Sequence, residues 1–194
     1  MADPWQAIHP STAFHALSAL SVDWWVAGGW ALDLFVGRQT RPHKDLDIGI
    51  LRRDFSTVYA ALSSWEFFEA RRGTLTSLRR GDEPRADVNS LWCRPANAAS
   101  WTLELMLDEC DGGGWVFRRQ RSVHRPLAMV MRRTGDGVPY LAPEIQLLYK
   151  ARPVREQDQA DFDQVAPRLD AAARSWLREA LAKVHPGHLW LRAL

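Results

Sequence analysis

Residues Asp45-Leu46-Asp47-Ile48-Gly49-Ile50 alternate strictly between apolar side chains and polar or small ones. A period of two is that of a β-strand, so Leu46, Ile48 and Ile50 face a core while Asp45, Asp47 and Gly49 share the other face. Two carboxylates about 6–7 Å apart in Cα repel each other unless a cation lies between them. Hard divalent ions such as Mg²⁺ are held by one or two carboxylates together with substrate phosphates. Gly49 leaves room beside such a site. In isolation the pattern also fits a solvated strand face, so its surroundings decide.

Upstream, the apolar run Trp24-Trp25-Val26-Ala27 predicts a buried strand that meets Gly28-Gly29. The glycines open a helix through Trp30, Leu34 and Phe35, which Gly37 closes. Glycine lets backbone N–H groups approach a phosphate, and a helix N-terminus adds favourable dipole charge. Arg38, Arg41, His43 and Lys44 then place cations in the loop that leads to the two aspartates. Phosphate donors and carboxylates thus fall at one end of adjacent strands. A third acid is expected from a neighbouring strand. In Trp101–Asp108, Leu103, Leu105 and Leu107 alternate with Glu104, Met106 and Asp108. Glu104 is flanked by leucines, where an unpaired charge is costly and a shared metal removes the cost. Asp87 and Asp108 are the alternatives.

The rest of the chain is organised around this segment. Pro10-Ser11 begins a short helix with Ser11 as its cap, and Asp54 caps a helix running to about Ser64. Short β-like runs follow at 65–70, 74–79, 86–92, 101–107 and 115–119, then a hairpin 127–133/138–141 turning at Thr134-Gly135-Asp136-Gly137. From Pro143 the pattern is helical, over 143–151, 158–169 and 171–184, with a tail from His185 packing back through its Trp and Leu residues. The expected fold is α+β, a mixed β-sheet core over 1–141 flanked by helices, with a small helical part over 142–194.

Among the 194 residues, 25 Lys and Arg against 23 Asp and Glu leave a formal charge of +2. That argues against a bulk nucleic-acid binder, which needs a strongly basic face. Two cysteines, Cys93 and Cys110, without a CxxC, point away from a disulfide framework or structural zinc and toward a reducing, cytoplasmic compartment. No apolar run is long enough for a membrane span. Met1-Ala2-Asp3-Pro4-Trp5 lacks the basic start of a secretory signal. Other features have plain explanations: His185-x-x-His188 flanks Pro186-Gly187 and reads as a turn. Asp158 and Asp161 suit a helix start, and Arg118-Arg119 and Arg132-Arg133 suit solvated strand ends. Of the ten tryptophans, Trp30 or Trp92 could wall a ring-shaped ligand.

The runs Val26-Ala27-Gly28-Gly29-Trp30-Ala31-Leu32-Asp33 and Gly37-Arg38-Gln39-Thr40-Arg41-Pro42-His43-Lys44-Asp45-Leu46-Asp47-Ile48 resemble the signature of the polymerase-β-like nucleotidyltransferase superfamily. More narrowly, they are similar to the small antibiotic nucleotidyltransferases that act on lincosamides and on the 2″-hydroxyl of aminoglycosides. The likeness is good over about residues 20–55 and looser at Leu103-Glu104-Leu105 and Pro143–Leu148. It implies that Asp45, Asp47 and Glu104 are the catalytic, metal-binding acids, holding two Mg²⁺ ions against ATP or another nucleoside triphosphate. It further implies that Glu104 deprotonates the acceptor hydroxyl, that Gly28-Gly29 cradles the phosphates, and that Arg38, Arg41 and Lys44 balance their charge. Helix 143–151 would line the cleft, with Glu144 and Lys150 as contacts. The chain departs from the pattern in having Glu rather than Asp as third acid, and in a 65–100 segment that does not align. The implied reaction moves a nucleoside monophosphate to a hydroxyl of a small molecule and releases pyrophosphate. The alternatives are a regulatory or antitoxin-type module acting on a protein partner and a nucleotide-binding relic without turnover. No oligomeric state is legible.

Overall fold

The computed structural model describes residues 4–194; the reading of Met1–Asp3 lies outside them. In chain order the elements are α1 (Pro10–Leu17), β1 (Trp24–Val26), α2 (Gly28–Val36), β2 (Asp47–Leu51), α3 (Phe55–Ala61), β3 (Trp65–Arg71), β4 (Thr74–Leu78) and β5 (Ser90–Pro95). They continue with β6 (Leu103–Asp111), β7 (Gly114–Val116), β8 (His124–Pro126), β9 (Met131–Arg133), β10 (Pro139–Leu141), α4 (Pro143–Lys150), α5 (Glu156–Val165) and α6 (Ala171–Val184). The architecture is the expected α+β, a mixed sheet in the order β4-β3-β5-β6-β2-β1-β10-β9, with β7 and β8 extending from β6.

The centre of the sheet is the part that matters for chemistry. β2 runs parallel to β6 and antiparallel to β1, and β1 runs parallel to β10. The alternation of Ile48 and Ile50 against Leu103, Leu105 and Leu107 buries all five side chains in one hydrophobic cluster. That cluster also takes in Leu147 and Leu148 of α4, Phe162 of α5 and Leu177 of α6. With one face of the central strands fixed inward, Asp47 and Glu104 are obliged to share the opposite face. Gly49 leaves no open space on that face, because a Cβ there would meet the Trp25 indole on β1.

Local details differ from the sequence expectation for identifiable reasons. His9, not Ser11, caps α1: its ring nitrogen accepts the Ser11 N–H at 3.3 Å, and Pro10 takes the first helical position. Asp54 makes no capping bond, since residues 52–54 form a single 3₁₀ turn before α3. The 86–92 run pairs only from Ser90, and the strand at 115 ends at Val116. Residues 127–129 coil into a 3₁₀ turn, leaving β9 and β10 as the hairpin. The tail packs back as expected: Trp190 stacks on Phe162 with centroids 4.2 Å apart and donates to Gln159 at 2.7 Å. Among the described residues no helix is long and apolar enough to cross a membrane.

Candidate active site

The parallel ladder between β2 and β6 makes Asp47 and Glu104 direct Cα partners. Asp45 lies two residues earlier, in the extended segment just before β2, where the Leu46 carbonyl accepts the Glu104 N–H at 2.8 Å. Burial pushes the Asp47 carboxyl up to about 7; Glu104 and Asp45 add repulsion, and Lys150 pulls the other way. Burial also raises Glu104, against a hydrogen bond from the Ser90 hydroxyl, with Asp45 again adding repulsion. Burial and neighbouring carboxylates therefore raise the proton affinity of Asp47 and Glu104. Among the described residues no three Asp, Glu, His or Cys side chains are already gathered into a metal cage. The donor set is an open one, of the kind that suits a hard divalent cation completed by phosphate oxygens.

Asp45 and Asp47 line a cleft of about 620 Å³ together with Gly28, Gly29, Lys44 and Lys150. Gly28 sits at φ +64°, and a Cβ on it would run into the Asp47 carboxylate. Its N–H is held by the Gln146 side chain of α4 at 2.8 Å. A Cβ on Gly29 would collide with Arg41 and His43. The glycine pair is thus required on both sides, and it fixes the start of α2 against the acids. The loop after α2 is tied back by Asp33, which accepts from Thr40 at 2.5 Å and pairs with His43 at 2.6 Å, the His43 ring lying over Trp30.

The cations divide by partner. Arg41 pairs with Asp161 at 3.2 Å, and Lys150 bridges Asp158 at 2.9 Å and Asp161 at 3.0 Å. Arg155 also binds Asp158. Asp158 keeps its helix-start role, its carboxylate accepting the Arg155 N–H at 3.2 Å, and both Asp158 and Asp161 are in addition buried counter-ions to cleft cations. Lys44 lines the cleft. Arg38 reaches Gln164 on α5 at 3.3 Å and is outside the residues that line the cleft. Glu144 turns into the core against Arg125 at 2.7 Å. Of the alternative third acids, Asp87 pairs with Arg71. Asp108 accepts the Tyr149 hydroxyl at 2.7 Å, and its burial lifts it to about 6.

Sequence reasoning missed several cleft residues. Arg119 is not a plain solvated strand end: it lines the cleft and donates to the Tyr149 carbonyl at 2.9 Å. Gln146, Tyr149, Arg152 and Arg155 line it as well. Trp30 packs on His43 and His9, and Trp92 on Trp5 and Trp101, so the aromatic ring at the cleft is Tyr149. Beyond Asp47 a smaller chamber of about 130 Å³ is lined by Asn89, Met106, Asp108, Arg118 and Tyr149.

The fold has counterparts in solved structures. The fold matches a lincomycin-bound lincosamide antibiotic adenylyltransferase, LnuA, with a TM-score of 0.54 and 17% identity, over 80% of this chain and 93% of that one. It matches ANT(2″)-Ia in complex with adenylyl-2″-tobramycin with a TM-score of 0.59 and 16% identity, over 89% and 96%. A solution structure of the antibiotic-resistance factor ANT(2″)-Ia matches at 0.55 and 17% identity, over 89% of each chain. No curated protein sequence matches the chain. At these identities the likeness speaks for the fold. The sequence model of the aminoglycoside-2″-adenylyltransferase family matches residues 11–165, the span that carries both the acids and the glycine turn, and the chain belongs to that family of nucleotidyltransferases.

Proposed function

We propose that this protein transfers a nucleoside monophosphate, most simply AMP from ATP, to a hydroxyl of a small-molecule acceptor of the aminoglycoside or lincosamide kind. The observation that carries this reading is the ladder register that sets Asp47 beside Glu104, in line with the Gly28 turn. The acids fit a divalent cation, Mg²⁺ in the simplest case, because they are close together, and Asp47 and Glu104 are raised by burial and by neighbouring carboxylates. When bound, such ions neutralise the triphosphate and activate the acceptor oxygen. Asp45 and Asp47 supply their ligands from this chain. With the Gly28 N–H taken by Gln146, the α2 N-terminus receives phosphate oxygens at Gly29, and the cleft cations balance the remaining charge. Glu104 takes the acceptor proton as the acceptor oxygen bonds to the α-phosphorus. The bond from that phosphorus to the bridging oxygen of the β-phosphate breaks, and pyrophosphate leaves. A raised proton affinity suits Glu104 to this role near neutral pH. We place the reaction in the cytoplasm, where Cys93 and Cys110 stay reduced.

Calorimetric titration of ATP and GTP, with and without Mg²⁺, tests the site before any acceptor is known. Wild type should bind ATP in a Mg²⁺-dependent way, and Asp47→Ala should not. Equal binding by both proteins would remove Asp47 from the site. Pyrophosphate release in the presence of tobramycin or lincomycin then tests the acceptor class.

A further inference from the structure

The cleft cations carry two different electrostatic states. Arg41, Lys150 and Arg155 are each answered by Asp158 or Asp161, both of them buried. Asp158 is shared by Lys150 and Arg155 and Asp161 by Arg41 and Lys150, so these cations are already engaged in a network around buried carboxylates. Arg119 and Arg152 line the same cleft, and neither is in an ion pair among the described residues. Arg119 is nonetheless held in place. It donates to the Tyr149 carbonyl at 2.9 Å, and its guanidinium lies 5.5 Å from the Tyr149 ring centroid and 5.9 Å from that of Phe117. It also borders the chamber beyond Asp47, so it faces the same space as the Asp47 carboxylate.

The charges around Arg119 agree with this picture. Burial and the neighbouring Arg118 and Arg152 lower its pKa, and Arg152 and Arg119 together add to the burial that lowers His185. Like charges are gathered here, and among the described residues neither Arg119 nor Arg152 has an ion-pair partner to offset them. An anion relieves that repulsion without displacing a carboxylate, and the planar guanidinium fork matches phosphate oxygens.

We infer that Arg119 and Arg152 form the clamp for the β- and γ-phosphates, the pyrophosphate that leaves, while Arg41 and Lys150 act as struts joining the loop after α2 and the end of α4 to α5. The inference rests on the nucleotidyltransferase reading of the cleft. It makes the two arginines specificity residues for a triphosphate over a monophosphate.

The test is titration calorimetry of MgATP and of AMP on wild type, Arg119→Ala, Arg152→Ala and the double variant, with melting curves for each. Loss of each guanidinium should weaken MgATP by about tenfold, as for a charge-assisted hydrogen bond. AMP affinity and melting temperature should stay at wild-type values, and Arg119→Lys should recover part of the MgATP loss. A double variant that binds MgATP like wild type overturns the inference while leaving the nucleotide site intact. Parallel loss of AMP and MgATP overturns it too, because the arginines then support the fold of the site. Unchanged MgATP affinity with lost acceptor-dependent pyrophosphate release reassigns them to the acceptor. A wild-type protein that binds no nucleotide overturns the reading of the site and this inference with it.

Discussion

Two aspartate pairs, one lining the cleft and one pairing with its cations, meet opposite fates. Asp45 and Asp47 stand at the start of β2; Asp158 and Asp161 stand on α5. Burial pushes both Asp47 and Asp158 upward, so desolvation does not separate them. Partners do. Around Asp47 the repulsion of Glu104 and Asp45 outweighs the pull of Lys150, and the carboxyl is lifted to about 7. Around Asp158, hydrogen bonds from Arg155 and Lys150 outweigh burial and hold the carboxyl at about 2. One pair is complete within the chain; the other is left short of positive charge. A buried acid with its counter-ion in place is part of the framework, whereas a group of acids without one marks where a ligand supplies the missing charge.

The contrast is sharpest if Asp47 is neutralised. Asp47→Asn should lower turnover on the order of 10²–10³-fold and, in the same protein, raise stability at pH 8. The sign follows from the raised pKa: the folded state holds the proton longer than the unfolded chain, so stability falls as pH climbs from about 4 to about 7. The variant lacks that fall, a difference on the order of 2 kcal/mol in urea unfolding. A variant no more stable than wild type at pH 8 would break the comparison at this end. On the α5 side the effect should reverse. Lys150→Met breaks a buried pair and should cost about 3 kcal/mol in thermal or urea unfolding, and a neutral result would show that Arg41 and Arg155 suffice for both aspartates. The smallest effect is expected for Asp158→Asn, a loss of stability near neutral pH that closes as the pH is lowered. A depressed pKa contributes stability that is present above about 4 and lost as pH falls toward 2. The variant should therefore show a shallower acid limb than wild type, and superimposable limbs would remove Asp158 from the linkage.

What the sequence revealed follows the range of its signals. The period-two runs at 46–50 and 103–107 are local, and they were enough to set the core face and so to bring Asp47 and Glu104 to one side. The Gly28-Gly29 turn was legible because a phosphate-type turn and a close-packed turn require the same residue. The cation partners were not. Arg41 meets Asp161 across 120 residues, and the guanidinium of Arg119 is placed by a carbonyl 30 residues away. One signal was present and unread: Lys150 ends a helix whose residues Pro143–Leu148 are all buried, so a counter-ion had to come from nearby chain. Within 65–100 the strands at 65–70 and 74–79 were legible, whereas Arg52 bracing the segment through the Val88 carbonyl and Asn89 is a contact that no local pattern announces.

The connection between β2 and β6 has an evolutionary side. Everything from α3 through the β3–β4–β5 excursion lies outboard of β6, at the edge of the sheet, while the pairing that fixes Asp47 against Glu104 closes behind it. Additions or losses in that excursion lengthen the path without moving its ends. Changes there would leave the β2–β6 pairing in place, and solved structures of the same fold agree with this chain at only 16–17% of positions.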